Sequence, residues 1–225
     1  EAAGIIDYHS GRHGPDNDFT IQDANNLHIG IDGEWYAYGG LSIADGAWTH
    51  VVVTWDRDGG ETIAYKNGIE ERSMSVASGY FIDSGGALVL GQDQDSAGGS
   101  FNDRQAFEGY LTRVRIYDEV LNEDEAYSRY MMEEIGASLV ADYTFEEGSG
   151  STLHDASGSG WNMSISGAVW SDECPSGASD LVCEIETPST DADGDVVSYT
   201  FDWEVDGDGY TDTDSTTEEG DTVPD

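Results

Sequence analysis

The chain has 225 residues, and its 47 Asp and Glu residues against 8 Lys and Arg residues give a formal net charge of −39 at pH 7. Nucleic acids and anionic membranes bind proteins through basic patches, so neither is an expected partner. Membrane insertion is not expected either, because no apolar run approaches the roughly 18 residues of a membrane helix. The acidity favours Ca²⁺ binding at several points, or a halophilic surface that needs salt to screen its own repulsion.

Short alternating apolar segments separated by turn residues predict strands along most of the chain. In chain order the first of these segments are 4–8, 18–22, 27–31, 34–38, 48–55, 63–66, 68–72 and 87–90. Asn67-Gly68 is typical of the tight turn of a β-hairpin. We interpret His50 as a structural residue, because no Ser or Cys nucleophile motif accompanies it.

One glycine-punctuated loop, residues 91–105, collects oxygen-bearing side chains between two apolar segments. They are Gln92, Asp93, Asp95, Asn102, Asp103 and Gln105. Hard divalent cations such as Ca²⁺ prefer six to eight oxygen ligands from carboxylates, amides and backbone carbonyls. The loop has no His or Cys, which argues against zinc and copper. The loop therefore predicts a calcium site.

Several motifs around this loop carry a family resemblance. They are Gly46-Ala-Trp-Thr-His, Phe107-Glu-Gly-Tyr-Leu and Val114-Arg-Ile-Tyr-Asp. With the loop itself they resemble pentraxins and their laminin-G-like relatives over roughly residues 4–135. The resemblance implies an all-β chain, folded as a two-sheet concanavalin-like jelly roll with one short helix.

The same resemblance implies a set of calcium ligands. Asp16 and Asn17 fall where pentraxins place an Asp-Asn pair on the calcium ion, although Pro-Asp-Asn-Asp is also a common turn. Asp93 stands where the family has a bridging Glu, Gln94 where a backbone carbonyl binds, and Asp95 where a second bridging acid binds. Two loops distant in sequence would then meet at one ion.

A second calcium position is less complete. Asn102 stands where the family has an acid on its second calcium, whereas Gln105 matches the amide of that site. Asp103, next to Asn102, is a candidate replacement for the lost charge. We therefore predict one firm calcium site and one weaker site.

A single helix is predicted after residue 121. Asn122 is the expected N-cap, and the three acids that follow it favour the positive end of the helix dipole. We expect the helix to run to about Glu134 and to end at Gly136. The predicted buried stripe consists of Tyr127, Tyr130 and Met131.

Two later segments, 139–145 and 161–170, read either as closing strands of the jelly roll or as the opening of a second laminin-G-like repeat. We prefer closure, so the predicted jelly roll spans residues 1–172. The family normally has three or four strands before the position of Gly4. We expect either that this sequence is a fragment of a longer chain or that strands from elsewhere take their place. Open sheet edges invite pairing with another chain, so self-association is expected as a possibility.

Residues 173–186 are predicted to form a linker that contains both cysteines, Cys174 and Cys183. Two cysteines this close suit a small disulfide loop and an oxidising compartment. Two free thiols are the alternative.

The acidic segment 187–225 resembles part of an immunoglobulin-like, polycystic-kidney-type repeat of bacterial surface proteins. Its alternating acids present carboxylates and a bent backbone to a further Ca²⁺, or else form solvated turns. These acids are Asp191, Asp193, Asp195, Asp206, Asp208 and Asp212.

Two functions are compatible with these features. One is an extracellular or cell-surface, calcium-dependent, lectin-like adhesion module whose ion binds hydroxyls of a carbohydrate or a phosphoester. The other is a structural subunit of a calcium-stabilised filament with strands paired between copies. Catalysis is not expected, because the Glu-x-Asp-x-x-Glu spacing of related glucanases is absent. Its nearest match begins at Glu204 and has Gly209 in place of the second Glu.

Overall fold

Antiparallel strands are the main regular elements of the chain in the computed structural model, which describes residues 2–12 and 17–171 in full and four later strands by their backbone alone. The predicted all-β class with one short helix is confirmed. The chain divides into two compact units, Glu1–Asp172 and Glu173–Asp225. The assignment of a jelly roll, a linker and an immunoglobulin-like module to these regions stays a prediction.

The strands of the first unit are mostly four to seven residues long. They are β1 (Gly4–His9), β2 (Phe19–Gln22), β3 (His28–Ile31), β4 (Glu34–Ala37), β5 (Val51–Trp55), β6 (Glu61–Lys66), β7 (Ile69–Ser75), β8 (Ala87–Leu90), β9 (Val114–Tyr117), β10 (Leu139–Tyr143), β11 (Thr152–Leu153) and β12 (Met163–Ser164). The α-helix is α1 (Glu123–Tyr130), and a short 3₁₀-helix spans Asp103–Gln105. Of the predicted closing strand 161–170, only Met163–Ser164 forms a strand.

The largest sheet has five strands in the order β4-β3-β2-β1-β8. Strand β1 lies inside it, so that Asp7 is opposite Thr20 on one side and Val89 on the other. A three-stranded sheet, β5-β6-β7, and the pairs β9-β10 and β11-β12 complete the unit. The β1–β8 pairing places the loop that follows β8 beside the beginning of β1.

The main apolar core joins the two larger sheets. Ile21 and Ile29 of the five-stranded sheet cluster with Ala64 of β6 and with Val76, which follows β7. All four side chains are less than a tenth exposed. This arrangement is the two-layer packing expected when each sheet buries one face.

The β6–β7 hairpin turns through Asn67-Gly68, as the sequence predicts. Both residues have positive φ angles, 51° for Asn67 and 77° for Gly68. A type I′ turn requires this backbone conformation at both central positions, and Asn and Gly adopt it most readily. These two residues therefore set the register of β6 and β7 next to the turn, where Lys66 lies opposite Ile69.

The helix begins as predicted and differs in its end and its buried face. Asn122 and Glu125 form a reciprocal capping box at its N-terminus. The helix ends at Tyr130, short of the predicted Glu134. The predicted stripe of Tyr127, Tyr130 and Met131 is wrong, since Tyr127 and Met131 are about half exposed. The buried residues of the helix are Ala126 and Arg129.

The reason for this difference lies in the neighbouring hairpin. A Cβ atom on Gly68 would lie 2.9 Å from the ring of Tyr127 and 3.0 Å from its Cα atom, so the helix packs directly onto the turn backbone. Tyr127 and Tyr130 therefore lie against the turn, but the narrow turn covers only about half of Tyr127, whereas Ala126 is fully buried. Spacing alone does not reveal which face has room for large residues.

The second unit contains two antiparallel strand pairs: β13 (Leu181–Glu184) with β16 (Gly220–Val223), and β14 (Asp202–Val205) with β15 (Asp208–Asp212). The proposed disulfide lies outside the described residues, as do four of the six acids predicted for a further metal site. The other two, Asp208 and Asp212, are the ends of β15, of which only the backbone is described. Within the described parts of the chain, no helix is long and apolar enough to cross a membrane.

We predict that His50 stays neutral in the folded protein down to unusually low pH. Burial lowers its pKa to about 4, and the positive charges of Arg129 and Arg115 add to the effect. The folded state thus favours the neutral ring, and the stability this contributes is present above pH 6.5 and is lost as the pH falls towards 4. In an NMR titration the His50 ring signals should have a midpoint near 4. A midpoint near 6.5 would contradict the described environment.

Candidate functional site

The loop of residues 91–105 is closed at its base by backbone hydrogen bonds. The Gly91 N–H donates to the Ile5 carbonyl at 2.9 Å, and the Phe107 N–H donates to the Gly91 carbonyl at 2.9 Å. An isolated bridge between Gln92 and Ala106 continues this closure. The loop is therefore anchored to β1 and returns to its own starting point.

The loop then folds back onto the start of β1. A Cβ atom on Gly4 would lie 2.5 Å from the backbone nitrogen of Asp93 and 2.7 Å from the carbonyl carbon of Gln92. These are backbone atoms that no rotamer change can move away. The absence of a side chain at Gly4 thus permits the position of Asp93.

The carboxylate of Asp93 is held between two amide side chains. Asn17 donates from Nδ2 to Oδ1 of Asp93 at 2.8 Å, and Gln105 donates from Nε2 to Oδ2 at 2.7 Å. The Asp93 residue is only 3% exposed. Three residues predicted from the sequence as ligands, from two loops far apart in the chain, therefore converge on one point.

A fourth group at this point is Asp7, which the sequence analysis missed. It is fully buried on β1, and its Oδ2 accepts a hydrogen bond from the Thr20 hydroxyl at 2.7 Å. Among the described residues, its Oδ1 and the buried Oδ1 of Asn17 have no hydrogen-bond partner. The signal that could have revealed Asp7 is an acid in the apolar segment Ile5-Ile-Asp-Tyr-His.

The cluster contains buried acids without a compensating positive charge among the described residues. Burial raises the pKa of Asp7 to about 7, the charge of Asp93 raises it further, and the hydrogen bond from Thr20 opposes the rise. Burial also raises the pKa of Asp93, with a further contribution from the charge of Asp95. Buried carboxylates close to one another disfavour ionisation unless a cation compensates them. None of the ion pairs among the described residues includes Asp7 or Asp93.

The side chain of Gln94 stabilises the loop from within. Its Nε2 donates to the carbonyls of Asp7 and Ala87 at 3.1 Å and 3.0 Å, and its Oε1 accepts from the Gly98 N–H at 2.7 Å. This residue is fully buried. The amide of Gln94 is thus occupied by structure, which is compatible with the prediction that only its backbone carbonyl faces an ion.

The remaining predicted ligands have other surroundings. Asn102 caps the 3₁₀-helix by accepting a hydrogen bond from the Arg104 N–H at 3.2 Å. Asp103 and Asp95 are exposed, although Asp95 is close enough to raise the pKa of Asp93. Asp16 lies outside the described residues.

The donor set fits a hard cation in its chemistry. No group of three or more His, Cys, Asp or Glu side chains that could hold a metal occurs in the described part of the chain. The side chains that converge are carboxylates and amides, whose oxygens are the ligands that Ca²⁺ prefers. Asn17 and Gln105 here turn their amide nitrogens towards Asp93. The partnerless oxygens of Asp7 and Asn17 are groups that a cation would satisfy.

Comparison with known families agrees with this arrangement. The model of the Pentaxin family matches residues 5–144, which contain every described residue of the cluster. The chain belongs to the pentraxin family. The resemblance inferred from the sequence is confirmed for this domain. The immunoglobulin-like repeat stays a prediction.

Curated relatives of this pentraxin chain are much longer proteins. It is 33% identical over 114 residues to the sushi, von Willebrand factor type A, EGF and pentraxin domain-containing protein 1 of Rattus norvegicus. It is 40% identical over 86 residues to neuronal pentraxin-2 of Homo sapiens. These matches cover 50% and 38% of this chain, and 3% and 20% of the relatives. The chain therefore spans only a small part of the relatives it matches.

Two solved structures share the fold. A heptameric SAP-like pentraxin from Limulus polyphemus superposes with a TM-score of 0.52 at 25% identity, over 63% of this chain and 73% of that protein. A candidate carbohydrate-binding protein from Bacteroides ovatus gives 0.52 at 18% identity, over 70% and 45%. The second likeness shows the fold alone. Together they support the jelly-roll architecture of the pentraxin domain.

We predict that Gly4→Ala destabilises this pentraxin domain by about 1–3 kcal/mol, because the added methyl group meets backbone atoms of the loop. Thermal unfolding measures the effect. Gly136→Ala is the matched control, since nothing lies within 4 Å of a Cβ atom at that position. Equal melting temperatures for the two variants would contradict the close approach of the loop to β1.

Proposed function

We propose that this chain is a calcium-dependent, lectin-like binding module that works outside the cell or at its surface. The observation that carries the proposal is the buried carboxylate of Asp93, bracketed by Asn17 and Gln105 beside a second buried acid. Buried acids without a cationic side chain are typical of sites that a metal ion completes. Pentraxins generally bind calcium, which supports this assignment.

The firm calcium site would use Asp93 as its central ligand. Asn17 would offer its partnerless Oδ1, Gln94 its backbone carbonyl and Asp95 an exposed carboxylate. Asp16 completes the proposed set by its place in the sequence. Because Asp93 and Asn17 come from loops 76 residues apart, a bound ion would tie β1, β2 and β8 together at one end.

A second, weaker calcium ion is proposed near Gln105, with Asn102 and Asp103. The Asn102 side chain is engaged in capping the 3₁₀-helix, and Asp103 is exposed to solvent. A site with fewer charged ligands and a loosely held acid binds Ca²⁺ less tightly. Filling of this second site would follow filling of the first.

Bound calcium would supply positive charge and open coordination positions to ligand oxygens. The chain itself carries a net charge of −39, so it offers little other attraction for an anionic group. A hydroxyl-rich carbohydrate or a phosphoester fits that chemistry. Lectin-like family members and the fold shared with the Bacteroides protein support a carbohydrate.

The module is proposed to bind rather than to catalyse. The pentraxin family is a lectin-like binding fold. Its homologues are secreted or extracellular, which supports the proposed location. The heptameric assembly of the Limulus pentraxin supports self-association of this chain as well.

The combined variant Asp93→Ala with Asp95→Ala should abolish the tightest calcium binding, because it removes both bridging acids. Isothermal titration calorimetry measures this loss. Asp58→Ala with Glu70→Ala is the control, as it removes two exposed acids of equal charge elsewhere. In the wild type, calcium at 100 times its Kd should raise the stability by about 2.7 kcal/mol. An unchanged titration in the double variant would refute the placement of the site.

Ligand binding should depend on calcium. On an array of glycans and phosphoesters, the wild type should bind a subset of probes in calcium and lose them in a chelator, whereas the Asp93 and Asp95 double variant should bind none. Binding that persists in chelator would contradict the proposal that the ion contacts the ligand.

A further inference from the structure

Asp7 differs from every other acid of the cluster in its position. It lies within β1, between the partners Thr20 and Val89, and not on a loop. It is fully buried, and the loop lies over it, with the Gln94 side chain donating to the Asp7 carbonyl at 3.1 Å. Asp7 thus forms part of the floor beneath the loop.

Only half of the Asp7 carboxyl group is used by the protein. Oδ2 accepts the Thr20 hydroxyl at 2.7 Å, whereas Oδ1 has no hydrogen-bond partner among the described residues. A neutral amide or a hydroxyl at this position would accept the same bond from Thr20. The hydrogen bonding of the strand therefore does not explain why the residue is an acid.

The presence of Asp93 nearby increases the free-energy cost of burying a charged carboxylate at Asp7. Asp93, itself 3% exposed, lies in the loop that covers Asp7, next to the Gln94 whose side chain donates to the Asp7 carbonyl. Two buried carboxylates side by side repel one another, and no Lys or Arg ion pair among the described residues offsets this. A divalent cation would turn the same arrangement into a favourable one.

We propose that Asp7 is a further calcium ligand of this chain, reaching the ion held by Asp93 from the strand beneath the loop through its free Oδ1. This inference rests on the calcium site proposed above. It adds a carboxylate from the strand to the loop carboxylates of Asp93 and the exposed Asp95, which form no ready-made cluster of three in the described part of the chain. It also makes the strand, as well as the loops, part of the site. Affinity for Ca²⁺ rises with the number of charged ligands and with the rigidity of the site.

The test compares Asp7→Asn with the wild type at one fixed pH. Asparagine keeps the shape of the side chain and the bond from Thr20 while removing the charge. Calcium affinity, measured by calorimetry, should fall about 10- to 100-fold. In chelator the melting temperature should stay the same or rise, because a repulsion between buried carboxylates has been removed.

Asp142→Asn is the matched control. Asp142 is also a strand acid with little exposure, its side chain being 14% exposed, but it pairs with Arg115 at 3.0 Å. Its replacement should lower the melting temperature in chelator and leave the calcium affinity unchanged. If Asp7→Asn also lowers the melting temperature in chelator and leaves the calcium affinity unchanged, Asp7 has a structural role and the inference is overturned.

A second variant, Asp7→Ser, provides the same test if Asp7→Asn folds poorly. It should show the same loss of calcium affinity. Wild-type affinity in either folded Asp7 variant, while the Asp93 and Asp95 double variant has lost binding, overturns this inference and leaves the proposed function intact. If the wild type itself takes up no calcium, the inference falls together with the proposed function.

Discussion

The burial of one carboxylate, that of Asp93, is the constraint around which the pentraxin domain is arranged. A carboxylate loses its hydration when it is buried, and only hydrogen-bond donors or a cation can replace that hydration. Asn17 and Gln105 provide the donors. To bring them there, the chain must close the loop after β8, place it on β1 and turn the segment before β2 towards it. The five-stranded sheet is the frame that makes these approaches possible.

Much of the fold follows from local sequence, and so it could be predicted. The Asn67-Gly68 turn and the Asn122 cap depend on backbone preferences within a few residues, and both are found as expected. The buried face of the helix depends on how much of each side chain the neighbouring hairpin covers. Tyr127 touches the turn at Gly68 and still keeps about half of its surface exposed, so its predicted burial was wrong. Where a helix packs against another element, the contacts between them decide which side chains are buried, whatever the spacing of apolar residues along the helix.

The residues of the site likewise fall into those that the sequence could predict and those that only the tertiary structure reveals. Asn17, Asp93 and Gln105 could be named because family motifs mark their positions, and the structure brings the three together. Their role as calcium ligands stays a prediction. Asp7 has no motif, and its closeness to Asp93 comes only from the pairing of β1 with β8. Asn102, named on the same motif, directs its side chain to a helix cap, since neighbouring backbone N–H groups compete for its oxygen.

The long separation between the partners of Asp93 also sets an order of events during synthesis. The Asn17 bond spans 76 residues, and the bond between Gln94 and Asp7 spans 87. Neither can form until the chain has been made well past β8, and closing such long loops is entropically costly and slow. Until the loop after β8 is made, the carboxylate of Asp7 remains in contact with water. The buried acid cluster can therefore be completed only after both ends of this long stretch of chain have been made.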